Sequence, residues 1–390
     1  MQKKSSRLRS IDVFRAITML FMIFVNDVSS VTGIPAWIDH VKADEDGLGF
    51  ADTVFPAFLF IVGLSLPIAI GSRYDKGHSH LQVAGYILTR SLALIVMGFF
   101  HVNLENYNPA ASFPLPAWQI GITVSFFLIW LNYSSKVSTK LKYLLIGVGV
   151  LLLAFLAIIF KGGTEAAPEP MRPHWWGILG IIGWAYLVSA LIYLLLQDRR
   201  WFVPAAFALL LAINIGSHTG LLTMQIPVLG DASSATIVMS GICISVWYQH
   251  LVDKHKRGNF LPLALLAGVV MIVAGLSIRP LAEGISKIHS TPAWVLICSG
   301  ISTVIFALLS WLIDTHAKQD WFKLVKPAGT STLTCYLLPY LLYALYQIVG
   351  FNYPAFFNVG DGGILRSLVV AFVIILLTGV LEKKHLTLKI

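Results

Sequence analysis

An all-α bundle that crosses a membrane many times is the fold class this sequence predicts, and three observations predict it. Hydrophobic residues make up 57% and charged residues 12% of the 390 positions, more apolar side chain than a soluble domain can cover. The apolar residues gather into segments of about 17–23 residues, long enough to cross a hydrocarbon layer of roughly 30 Å. Short polar connections separate the segments, and most of the cations fall in them. Mean hydropathy is +0.77.

Twelve spans follow from this pattern. The first, 11–30, comes after Lys3, Lys4, Arg7 and Arg9. It outruns a signal-peptide core and has no small-residue cleavage site, so it is expected as an uncleaved membrane helix. Asp52 opens the second, 51–71, and Arg73 and Lys76 separate it from the third, 82–102. The loop 103–114 leads to 115–132, and Lys136, Lys140 and Lys142 mark the passage to 141–160. Trp175 and Trp176 open 175–197, which only Arg199 and its neighbours divide from 200–216. Lys254, Lys256 and Arg257 lie between 232–252 and 260–278. Lys318, Lys323 and Lys326 lie between 292–314 and 328–350, and Lys383 and Lys384 close 363–381.

Twelve crossings put both termini on one side. Twenty of the 28 Lys and Arg residues fall on that side, and five (Lys42, Lys161, Arg172, Arg279 and Lys287) on the other. The positive-inside rule then makes both termini cytoplasmic and the His40 loop external. The net charge of +9 reads as a solvated cytoplasmic fringe facing anionic lipid, with no nucleic-acid partner. Residues 1–390 read as one membrane domain, without internal repeats. Cys243, Cys298 and Cys335 all sit in apolar runs, so no disulfide framework or cysteine-ligated zinc is expected. No HExxH, phosphate-binding P-loop or dinucleotide fingerprint occurs, and no metal is expected.

The polar residues inside this apolar frame point to chemistry. Asp12, Arg15, Met19, Met22 and Asn26 share one face of the first helix. The stripe reads either as a route between the two ends of the bundle or as an Asp12–Arg15 pair at the interface. Asn26 and Asp27 end that helix and Asp52 begins the next, with His40 on the loop between. A carboxylate beside an imidazole fixes its tautomer and raises its basicity, as a general base requires. Trp37, Trp118 and Trp175 are either interfacial anchors or platforms for a sugar ring, with Gln119 beside the second. Arg90, inside the third span, reads as an anion clamp or as half of a buried pair.

Two stretches resemble the heparan-α-glucosaminide N-acetyltransferase family. One is Arg7-Leu8-Arg9-Ser10-Ile11-Asp12-Val13-Phe14-Arg15 with Met22-Ile23-Phe24-Val25-Asn26. The other is the loop histidine followed by Phe50-Ala51-Asp52-Thr53-Val54-Phe55-Pro56, and the likeness continues to Arg90-Ser91. The motif-bearing part is 7–105; the helices over 115–381 match mainly in being multi-span. The resemblance implies a single transmembrane acyltransferase domain that takes acetyl from cytosolic acetyl-CoA and N-acetylates a glucosamine-like amino sugar on the outer side. It implies His40 as catalytic base or acetyl carrier, with Asp52 and Asn26 beside it. Arg15 and Arg90 are then expected to meet the phosphates of acetyl-CoA. Asp27, Trp37, Trp118, Gln119 and Trp175 are expected near the acceptor. A homodimer is compatible with this reading. Gln119 is followed by Ile120-Gly121 where the family carries an arginine. The competing readings are an O-acyltransferase of a cell-surface glycan and a secondary transporter, although the two halves of the chain do not echo each other as a transporter's repeats would.

Overall fold

The computed structural model describes residues 8–223 and 228–390. Lys3, Lys4, Arg7 and part of the 217–231 loop lie outside the described residues. The described chain is a helical bundle with one two-stranded hairpin, Gly162–Gly163 against Pro168–Glu169. Its helices are α1 Arg9–Val28, α2 Ala51–Tyr74, α3 His80–Val102, α4 Leu115–Trp130, α5 Thr139–Ile159, α6 Gly177–Leu196 and α7 Val203–His218. They continue with α8 Ser233–Asp253, α9 Phe260–Ile278, α10 Pro292–Leu309, α11 Lys326–Thr330, α12 Thr332–Val349 and α13 Gly360–Lys383. Ten of the helical segments are long and apolar enough to cross a membrane. α1 and the shorter α4 occupy the other two predicted spans.

Two predicted spans differ in detail. The segment 292–314 is α10 continued by a π-helical turn, Ser310–Thr315. The segment 328–350 is divided at Ser331 between α11 and α12. The short α11 brings Gly329 so close to α1 that a Cβ there would lie 2.3 Å from the Asp12 carbonyl oxygen. The carbonyl of Gly329 meanwhile accepts from the Arg15 guanidinium at 3.4 Å.

The connecting loops fall into two sets that touch only among themselves in the hydrogen bonds and ion pairs of the described residues. At one end Thr32 pairs with Val359 and Tyr107 with Gly162, while Asp46 binds Arg279 and His218 binds Glu283. At the other, Leu131 pairs with Leu388, Gln197 reaches Tyr74, and Thr330 donates to Glu382. Helices that each run from one end of the bundle to the other require this segregation.

Helix position follows burial. About 67% of the most apolar stretch of α8 and of α10 is buried, against 17% for α5 and α9, so the last two form the lipid-facing margin. α1 sits centrally, packed on α2, α10, α11, α12 and α13. Helices in lipid associate through close packing of small residues more than through a hydrophobic driving force. The α2–α8 contact shows this: a Cβ on Gly63 would lie 1.9 Å from the Val238 carbonyl oxygen.

Candidate active site

The centre of interest is built on the first turn of α2. Pro56 has no N–H, so the carbonyl of Asp52 lacks its helical donor. Trp294 on α10 supplies one, its indole N–H donating to that oxygen at 3.0 Å. This fixes the backbone of Asp52, whose side chain is 2% exposed. The carboxylate accepts from His40 Nδ1 at 2.7 Å and from the backbone N–H groups of Val41 at 3.0 Å and Gly49 at 3.1 Å. Gly49 permits the tight loop, since a Cβ there would lie 1.9 Å from the Asp39 carbonyl oxygen.

A carboxylate that takes three donors is an acceptor only. The hydrogen between the two groups therefore sits on His40 Nδ1, and Nε2 is the ring nitrogen the carboxylate does not hold. The imidazole is partly exposed, at 34%. The ring is held in one orientation beside a buried carboxylate.

A second loop closes over this pair. Asp46 accepts from Arg279 Nε at 2.8 Å and from the Ile285 N–H at 2.7 Å, and His289 Nε2 donates to the Ala43 carbonyl at 3.1 Å. The Ile285 N–H and the Arg279 guanidinium hold the Asp46 carboxyl below its usual range. Between these anchors Lys287 lays its Nζ 3.2 Å from His40 Nδ1, 3.4 Å from His40 Nε2 and 4.0 Å from Asp52 Oδ1. Burial pulls the Lys287 ammonium below the ordinary lysine value, against the opposing charge of Asp52. Sequence reasoning counted Lys287 only among the external cations. No local signal marks it, because it meets His40 across 247 residues.

The stripe on α1 lines two abutting cavities. One, of about 360 Å³, has Arg15, Met19, Met22, Ser65, Arg90 and Tyr336 in its walls. The other, of about 300 Å³, includes Asn26 and Tyr343 and shares Met22, Ile178 and Tyr336 with the first. Arg15 and Asn26 are about 16 Å apart along the helix at 1.5 Å per residue. Arg15 donates to Ser65 at 2.6 Å, and Arg90 donates to Tyr86 at 2.9 Å while its buried Nε has no protein partner.

The structure thus joins His40 to Asp52 and places Arg15 and Arg90 in the wall of one cavity, but no side-chain hydrogen bond links Asn26 to His40 among the described residues. Asp27 turns away from the loop. It accepts from Arg366, Ser367 and Tyr343, with Arg366 NH2 at 3.1 Å. Trp118 is fully buried, its indole donating to the Leu156 carbonyl at 2.9 Å, and Gln119 donates to the Tyr340 carbonyl at 2.7 Å. Trp37 is exposed, and Trp175 is bound to Glu105 at 2.9 Å.

Fold and site together define an integral membrane protein with a histidine–aspartate pair at one end of its helical bundle. Residues 7–228 match the model of the family described as "Domain of unknown function (DUF5009)", more than half of the chain, and the chain belongs to that family. It is also similar to human heparan-alpha-glucosaminide N-acetyltransferase, at 41% identity over 101 residues, 26% of this chain and 14% of the relative. The mouse protein of the same name is 37% identical over 106 residues, 27% and 15% of the two chains. The matches span about one seventh of these curated relatives.

Proposed function

We propose that this protein is a membrane acetyltransferase that moves an acetyl group from cytoplasmic acetyl-CoA to the amine of a glucosamine-like sugar at the opposite face. The observation that carries the reading is the 2.7 Å bond between His40 and Asp52, which leaves Nε2 as a base of fixed tautomer. The partial likeness to two N-acetyltransferases supports the reaction type. The mostly apolar cavity along α1 suits an uncharged pantetheine arm. Arg15 and Arg90 would hold the donor's phosphates, Arg90 Nε being an unused buried donor at the cavity wall.

In this reading His40 Nε2 takes the proton of the attacking amine as the new C–N bond forms, and then returns it to the leaving thiolate. Asp52 holds the ring in place and stabilises the imidazolium. An alternative order has Nε2 carry the acetyl group before the amine arrives.

The deciding experiment mixes purified protein with labelled acetyl-CoA and a panel of free amino sugars and their hydroxyl counterparts. Transfer to the amine alone supports the proposal, and transfer to the hydroxyl sugars makes the protein an O-acyltransferase. A His40→Ala variant that retains full activity sinks the assignment of the base. Labelling of a cysteine placed at position 40 from outside the cell tests the orientation separately.

A further inference from the structure

We infer that Lys287 is a catalytic residue of this transfer, its ammonium donating to the thioester carbonyl oxygen as negative charge develops there. The inference rests on the acetyltransferase reading. Its ground is where Nζ stands. A point 3.2 Å from Nδ1 and 3.4 Å from Nε2 of one imidazole cannot lie in the ring plane without striking a ring carbon, so Nζ lies over the face. The in-plane lone pair of Nε2 stays open to the incoming amine. An acyl group beside Nε2 has its carbonyl oxygen within reach of the ammonium.

The donors of Lys287 are also thinly matched, three N–H groups meeting one imidazole. Asp52 Oδ1, at 4.0 Å, is beyond hydrogen-bond length and already takes the His40 hydrogen. The ring nitrogens are approached off-axis. Among the described residues its hydrogen-bond contacts are the two His40 ring nitrogens alone, although its side chain is only 28% exposed. A desolvated cation with so few acceptors costs stability. It is also what a preorganised oxyanion site supplies. The loop carrying it is fastened on both sides of Lys287 by the Asp46 and His289 bonds.

The step balances without a further reactant. The amine nitrogen bonds to the carbonyl carbon, the C–S bond breaks, and the proton passes by way of His40 Nε2 to the thiolate. Lys287 gives a hydrogen bond and keeps its proton. The groups that face its Nζ are His40 on the first loop, Asp52 at the start of α2 and the Cys298 thiol on α10. Because the protonated form acts and burial lowers its pKa, activity should fall as pH rises through a value below that of an ordinary lysine.

The test compares the purified full chain with its Lys287→Met and Lys287→Arg variants, using acetyl-CoA and glucosamine, from neutral to alkaline pH. Lys287→Met should lose about a hundredfold in kcat with little change in donor KM. Lys287→Arg should keep more activity and lose the alkaline fall. A wild type that transfers acetyl while Lys287→Met stays within a few-fold of it overturns the inference and leaves the enzyme reading standing. A wild type that transfers nothing overturns both. If the methionine variant does not fold, the arginine variant decides, and an unchanged alkaline fall overturns the inference. Without any donor, reductive methylation read by mass spectrometry should label Lys287 at lower pH than the exposed Lys42; labelling at the same pH also overturns it.

Discussion

Two buried aspartates stand at the same end of the bundle, one closing α1 and one opening α2, and they are used in opposite ways. Asp27, 5% exposed, is saturated. Arg366 Nε and NH2, the Ser367 hydroxyl and the Tyr343 hydroxyl all converge on its carboxylate, and Arg366 also binds Ser30 and Asn358. The Tyr353 ring lies 4.9 Å from the guanidinium. Its contacts are a guanidinium and two hydroxyls, of which only Tyr343 also lines the cavity beside Asn26. Asp52 is as deeply buried, but its partners are a half-exposed histidine and two backbone amides, with a lysine poised above. The first arrangement locks α1 to α13. The second orients an imidazole and leaves its Nε2 unclaimed by the carboxylate. Burial of a carboxylate therefore does not mark a site by itself; the unused valence of its partners does.

The comparison can be broken at its strongest point first. His40→Ala should lower kcat by roughly 10²–10⁴ with little change in thermal unfolding, because the ring supports Asp52 without plugging the core. Equal losses in activity and unfolding temperature would make His40 structural. Arg366→Met leaves Asp27 buried without its cation, which costs about 3–5 kcal/mol. Fluorescence-monitored unfolding in detergent should show it, and adding Asp27→Asn should recover much of the loss. An Arg366 variant that is stable but inactive would move this cluster into the site.

Asp52→Asn keeps the shape but offers an amide to Nδ1, so the lone pair and the hydrogen exchange places on the ring. We expect a kcat loss of about 10² with both loops still folded, checked by kinetics alongside unfolding. The smallest effect belongs to Asp46→Asn, a largely exposed pair worth about 0–1 kcal/mol, hence at most a few-fold in kcat. The carboxyl of Asp46 is held below its usual range, first by the Ile285 N–H. The anchor is thus complete above the ordinary aspartate pKa and lost as pH falls through the lowered one. A pH series of limited proteolysis at the 279–291 loop would reveal that loss.

Much of this was legible in the chain. Each of the twelve apolar segments became helical, 328–350 as two helices, because burial of backbone in lipid leaves helix as the way to satisfy its polar groups. The π turn after Leu309 and the break at Ser331 were not legible, since both answer to neighbours: Ser10 on Asp314 at one, Gly329 against α1 at the other. In the site, His40 and Asp52 were readable as a pair because only twelve positions separate them and the helix ends that carry them are joined by one loop. Trp118 was readable as a boundary tryptophan, yet the packing of α4 on α5 seals it away from any surface.

By itself the sequence determined the helical class, the span pattern with its charge asymmetry, and the nearness of His40 to Asp52. These follow from local composition and short spacing, where the physics acts between near neighbours. Only the tertiary structure decided that Arg366 would neutralise Asp27 across 339 residues and that Lys287 would settle over His40 across 247. Such meetings depend on which helices pack together, and no periodicity along the chain records that choice.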